Sequence, residues 1–156
     1  MDQLNRRDLF RTCGLSTLAL ATRSSALAAP RKKIATVITE YRLNSHADVI
    51  AGRLIKGYEY DGKHHTPDVE LVSMYTDQVP ANDLSRGLAA KYGFKIAPTI
   101  REALLMGGNK LAVDGVVLVG EHGNYQWNEK EQHMYPRYEL FKIIVDVFRD
   151  AGQVVP

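Results

Sequence analysis

Lys33-Ile34-Ala35-Thr36-Val37-Ile38-Thr39 is a short β-branched run, and Asn44-Ser45 follows it closely. A run of this kind without polar alternation reads as a strand covered on both faces. Asn and Ser are favoured helix caps, so the pair predicts a helix from about 46 to 58. Ala47, Val49, Ile50 and Leu54 fall at helical spacing within it. A buried strand that runs directly into a capped helix is the opening unit of a parallel α/β sheet.

The pattern continues outward from this unit. Residues 61–68 form a polar loop and 69–75 a second strand. Asp83 or Ser85 can cap a second helix running to Lys91, with Gly93 as its C-terminal glycine. Residues 94–97 form a brief third strand stopped by Pro98. Thr99 opens a third helix with Ile100, Ala103, Leu104 and Leu105 on its buried face and Gly107-Gly108 at its end. Gly115-Val116-Val117-Leu118-Val119-Gly120 is a fourth strand without alternation. Pro136 begins a long helix, at a position where proline is tolerated, with Leu140, Ile143, Ile144, Val147 and Phe148 as its stripe and Gly152 at its end. Val154-Val155 starts a fifth strand. The expected fold class is therefore α/β, a parallel sheet with helices on both faces, cut off after the start of the fifth strand.

Composition is that of an ordinary globular chain: 156 residues, 45% hydrophobic and 24% charged. Its formal net charge of +2 comes from the first 28 residues, which hold Arg6, Arg7, Arg11 and Arg23 against Asp2 and Asp8. Removing these from the 20 basic and 18 acidic residues leaves 16 of each. A neutral domain gives no electrostatic reason to expect nucleic acid or anionic lipid as a partner.

The N-terminus itself resembles a twin-arginine export signal. Asn5-Arg6-Arg7-Asp8-Leu9-Phe10-Arg11 precedes a mildly apolar stretch, 12–21, too short to span a bilayer, which takes roughly 20 apolar residues. Ala26-Leu27-Ala28 then offers a small-residue cleavage pattern. The organisation read from this is a signal over 1–28, a linker over 29–32 and one domain over 33–156. Export by the twin-arginine route, to the periplasm or beyond, leaves no membrane span after cleavage. Cys13, the one cysteine, falls in the signal, so the domain has neither a disulfide nor a cysteine-based zinc site.

In parallel α/β sheets ligands bind beyond the carboxyl ends of the strands. Loops 40–45, 76–82 and 120–135 should meet there and carry the candidate site residues: Arg42, His46, Asp77, Glu121 and His122. Arg42 can contact a phosphate as a charged fork. Asp77 either holds a pair of ribose hydroxyls or serves as a turn residue. Glu121 and His122 are the candidate catalytic pair, His122 orienting substrate or shuttling a proton, or else a loop His bonded to backbone. His46 either touches a phosphate or helps to cap. Glu129 and His133, four apart, can share a helical face and with Glu121 and His122 outline a metal site. Two His and two Glu in a polar loop are more often solvated, and no metal is expected. Trp127, Tyr125 and Tyr135 can stack on a sugar or nicotinamide ring, or plug the loop.

Strand 33–39, Asp77 after strand two, Leu88-Ala89-Ala90-Lys91-Tyr92-Gly93, the short helix 99–106 and Val113-Asp114-Gly115-Val116-Val117-Leu118-Val119 together resemble the nucleotide-binding half of the Gfo/Idh/MocA (glucose–fructose oxidoreductase-like) family. Gly120-Glu121-His122-Gly123-Asn124-Tyr125 and Tyr135-Pro136-Arg137 are similar to an exported bacterial subgroup of it. The resemblance implies a Rossmann-like domain, NAD or NADP as cofactor and a small sugar-like ligand. Two features depart from the family. Its G-x-G-x-x-G turn is absent: Thr39-Glu40-Tyr41-Arg42-Leu43-Asn44-Ser45-His46 holds no glycine, and Glu40 would repel phosphate. The family's catalytic Lys, in a Glu-Lys-Pro stretch after the fifth strand, and its substrate domain lie beyond what the sequence covers. The expectation is a fold half that is a fragment, an oligomer or the partner of another chain. Two functions stay open: an oxidoreductase-like protein, and a non-catalytic binding module that reuses the Rossmann-like core without its cofactor.

Overall fold

The structure, a computed structural model, describes residues 30–156, so the signal expected over 1–28 lies outside the described residues. Four strands, β1 (Lys32–Ile38), β4 (Val69–Thr76), β5 (Lys95–Ile96) and β6 (Gly115–Val119), form one parallel sheet in the order β5-β4-β1-β6. Helices α1 (His46–Lys56) and α2 (Ser85–Tyr92) connect β1 to β4 and β4 to β5, and α3 (Ile100–Leu105) leads back across to β6. Helix α4 (Arg137–Ala151) follows the long loop after β6. The α/β class with helices on both faces is thus present, in Rossmann-like order.

Strand alternation sorts the core into two layers. Ala35 and Val37 of β1 pack with Ile100, Leu104, Leu140 and Ile144 of α3 and α4. Ile38 of the same strand packs with Tyr41, Ala47, Ala51 and Met74 on the α1 side. This is the period-two geometry of a strand covered on both faces. A register shift between Ile34 and Ala35 leaves Val72 unpaired against β1.

Several local expectations are corrected. Helix α1 buries Ala47, Ala51 and Gly52, while Val49 and Ile50 are exposed. The small residues let the helix lie close to the sheet, which turns the larger apolar pair outward. The helix stops at Lys56, two residues before the expected end, with Gly57 as its cap. The loop expected over 61–68 begins as a hairpin, β2 (Tyr58–Tyr60) and β3 (Lys63–His65). Its two-residue turn, Asp61-Gly62, has φ 51° and 67°, the twist that an Asp-Gly pair supplies. Ile143 of α4 is exposed rather than part of the buried stripe. No strand forms at Val154-Val155; one bond, from Val116 N–H to the Pro156 carbonyl at 2.8 Å, ties this segment to the edge of β6. The central residues of β6 are half-buried, as an edge strand allows. The linker expected over 29–32 gives its last residue to β1, where the Asp114 carboxylate accepts from Lys33 N–H at 2.8 Å. Among the described residues no helix is long and apolar enough to cross a membrane.

Thr99 caps α3 as expected, its hydroxyl accepting from Glu102 N–H at 3.1 Å. Replacing Thr99 with Ala should cost about 1 kcal/mol, measured by urea denaturation. An unchanged midpoint would mean that burial of Leu104 and Ile100 alone holds this helix.

Candidate functional site

The chain leaves β1 toward β4 on one side and returns past β1 to β6 on the other. The gap between the carboxyl ends of β1 and β6 is therefore the topological switch point, where parallel α/β folds place their ligands. Thr39 and the residues after it bridge this gap. Thr39 N–H donates to the Val119 carbonyl at 3.1 Å, and its hydroxyl donates to the Glu121 carbonyl. Asp77 and Gln78 backbone N–H groups donate to the Ile38 and Thr39 carbonyls, so the ends of β4 and β6 are both tied to β1.

Arg42, His46, Glu121 and His122 come together here. Glu40 is 7% exposed, and its carboxylate accepts from Arg42 Nε at 2.6 Å. The other end of that guanidinium, Nη2, lies 3.2 Å from His122 Nδ1. His122 Nε2 lies 2.9 Å from Nδ1 of His46, the first residue of α1. His122 takes a left-handed backbone, φ 66°, rare for a residue with a Cβ and a local strain that the surrounding bonds must hold. Partial burial, then the Arg42 cation and His46, hold its imidazole below the ordinary histidine range, so the neutral ring is favoured. Glu121 is engaged separately: its carboxylate accepts from Arg137 Nη2 at 2.6 Å while Arg137 Nε donates to the Gly120 carbonyl at 3.2 Å.

Asp77 stands at the end of β4 on the same edge but in its own group. Tyr75 donates to one carboxylate oxygen at 3.0 Å and Tyr125 to the other at 2.6 Å. Burial, reinforced by the bond to Asp77, pushes the Tyr75 phenol up to about 12 and raises that of Tyr125 further. Both phenols are therefore protonated donors at neutral pH. Gln78 binds Asn124 reciprocally, its Nε2 donating to the Asn124 carbonyl and its Oε1 accepting from Asn124 N–H, which locks the β4 loop to the β6 loop.

The positions that would hold a dinucleotide are used by the chain itself. The residues between β1 and α1 hold no glycine, and the Tyr41 ring is fully buried among them. Its hydroxyl sits beside the Asp48 carboxylate without a well-formed hydrogen bond, and burial together with that charge raises it well above the ordinary phenol range. At the start of α1, Ser45 Oγ accepts from Asp48 N–H at 3.2 Å and the Asp48 carboxylate accepts from Asn44 N–H at 3.2 Å. The Asp48 carboxylate, which also pairs with Lys56 Nζ at 3.3 Å, thus occupies the first turn, where a pyrophosphate would otherwise take these N–H groups. With no glycine between β1 and α1 and a carboxylate in the first turn of α1, these residues do not fit an ordinary nicotinamide dinucleotide.

The loop after Gly120 departs from expectation in one respect. Glu129 and His133 share no helix; His133 pairs across a single bridge with Trp127, and their rings stack at 4.3 Å. His133 Nε2 lies 2.8 Å from the Tyr125 carbonyl, and Tyr135 sits under Arg137 at 5.1 Å. Among the described residues no three His, Cys, Asp or Glu converge as metal ligands. Arg137, in Tyr135-Pro136-Arg137, is a site residue that the sequence does not mark, because its partner Glu121 is sixteen residues away across an irregular loop, which no periodicity reveals. Comparison with protein-family models, with curated proteins and with solved structures finds no match to this chain.

Proposed function

We propose that this chain is a binding module for a small polar ligand, exported by a twin-arginine signal and built on a Rossmann-like core that no longer holds a dinucleotide. The observation that carries the reading is the turn between β1 and α1, where no glycine stands and the buried Tyr41 ring fills the place a pyrophosphate would approach. The Asp48 carboxylate at the start of α1 acts in the same direction. The ligand instead meets the bonded group of Arg42, His122 and His46 at the switch point.

An oxidoreductase-like activity of the Gfo/Idh/MocA kind is the second reading. What favours it is the strand order, which opens the sheet between β1 and β6 as in dinucleotide-binding domains. Titrating the full chain with NADH and NADPH, followed by nicotinamide fluorescence and calorimetry, separates the two. The expected result is no saturable binding up to millimolar cofactor. Saturation at micromolar cofactor would restore the oxidoreductase reading and remove the first.

A further inference from the structure

We infer that the Arg42–His122–His46 chain is a one-way hydrogen-bond relay that presents His46 Nε2–H as a fixed donor to a small organic acid, seated by its carboxylate in the recess between α1 and the end of β6. The inference rests on the binding reading above and names the chemistry of its ligand.

The direction follows from donor chemistry. A guanidinium only donates, so His122 Nδ1, 3.2 Å from Arg42 Nη2, must accept and carry no proton. The neutral His122 ring then carries its proton on Nε2. That nitrogen, 2.9 Å from His46 Nδ1, donates to it, so Nδ1 of His46 is bare and its own proton lies on Nε2. Arg42 cannot turn away to release the sequence, because buried Glu40 holds its Nε at 2.6 Å. Every proton in the chain thus points from Arg42 toward His46, and the unspent group is an N–H rather than a lone pair. A site of this polarity holds an acceptor; it does not remove a proton.

The surroundings specify which acceptor. His46 lines a recess of about 330 Å³ together with Ile50, Leu118, Gly120, Glu121 and Arg137. Ile50 is one of the two apolar residues that α1 turns outward, and here it forms a wall with half-buried Leu118. Arg137 spends Nη2 on Glu121 and Nε on the Gly120 carbonyl, leaving Nη1 without a hydrogen bond among the described residues. Two donors and two aliphatic walls fit an anionic oxygen head on a short apolar body. Glu121 is the opposing charge, and its pairing with Arg137 neutralises it.

The test is nuclear magnetic resonance on the full chain, with two-bond proton–nitrogen spectra of the imidazoles above pH 7 and titration with butyrate, butyramide and butylamine. Protons on Nε2 of both His46 and His122 are expected, with bare Nδ1 nitrogens. Butyrate should shift the His46 ring saturably, at least tenfold more tightly than butyramide, with no saturation by butylamine. By calorimetry, which needs no reporter ring, His46→Ala should abolish saturable butyrate binding, whereas His64→Ala, on the hairpin, should leave it intact. A proton on Nδ1 of either ring overturns the relay. The expected tautomers with no preference for butyrate overturn the acid-binding site. Dinucleotide binding with the tautomers as stated would instead remove the wider reading and leave the relay standing.

Discussion

Replacing Arg42 with Met is expected to lower the free energy of unfolding by about 2–3 kcal/mol at neutral pH, read by urea denaturation. Glu40 is 7% exposed, and Arg42 is its one ion-pair partner among the described residues. Removing one member of a buried pair strands the other charge in a medium that solvates it poorly, which typically costs about 3–5 kcal/mol. The lower figure follows from the exposure of the Arg42 side chain, 35%, which lets water reach the vacated space. Glu40→Gln in the Arg42→Met background should recover most of the loss, because no charge then remains to be stranded. A loss below about 0.5 kcal/mol, the range of surface substitutions, would mean that Glu40 is solvated and the pair ordinary. The same substitution frees His122 Nδ1 from its obligatory donor, so both imidazole tautomers become accessible. Stability and site polarity are thus set by one guanidinium.

Much of the sheet was legible because its signals are local. The run Lys33 to Thr39, the Ser45 and Thr99 caps and the apolar run Gly115 to Val119 each state their own conformation within a few residues. What was not legible depends on approach distance or on partners remote in sequence. Spacing put Val49, Ile50 and Leu54 ahead of Ala47 on the buried face of α1. Close approach to the sheet chose the small side chains, a tertiary effect that periodicity does not encode. The Asp61-Gly62 hairpin carried a readable turn pair, but its flanking strands are short and polar, so the alternation that marks a strand was missing. At the site, the loop positions of Arg42, His46, Asp77, Glu121 and His122 followed from topology alone. Their partners did not: the bond between His122 and His46 spans 76 residues, and that between Tyr125 and Asp77 spans 48. Asp77 shows the consequence. Its position suited a ribose, and nothing local in the sequence shows that each oxygen already accepts from a phenol.

Gly57→Ala is expected to be about as damaging as loss of Arg42, at roughly 2–4 kcal/mol. Gly57 ends α1 with φ 79° and ψ −169°, a region essentially restricted to glycine, and its N–H closes the helix on the Arg53 carbonyl at 3.0 Å. Strain in such a region costs about 1–3 kcal/mol by itself. The second cost is steric: an added Cβ would lie 2.5 Å from the His65 carbonyl oxygen and 2.5 Å from His64 Nε2. The His64 ring can swing aside, because its one bond among the described residues, to Glu59, is exposed. The carbonyl belongs to the hairpin backbone and can yield only if β3 moves away from α1. Asn, which tolerates the ordinary left-handed region, should fare no better than Ala, because ψ here is far from that region. A loss below about 1 kcal/mol for Gly57→Ala, with fast amide exchange confined to 58–65, would show that the hairpin lifts off instead. The turn at Gly57 would then be a hinge rather than a fixed joint between helix and hairpin.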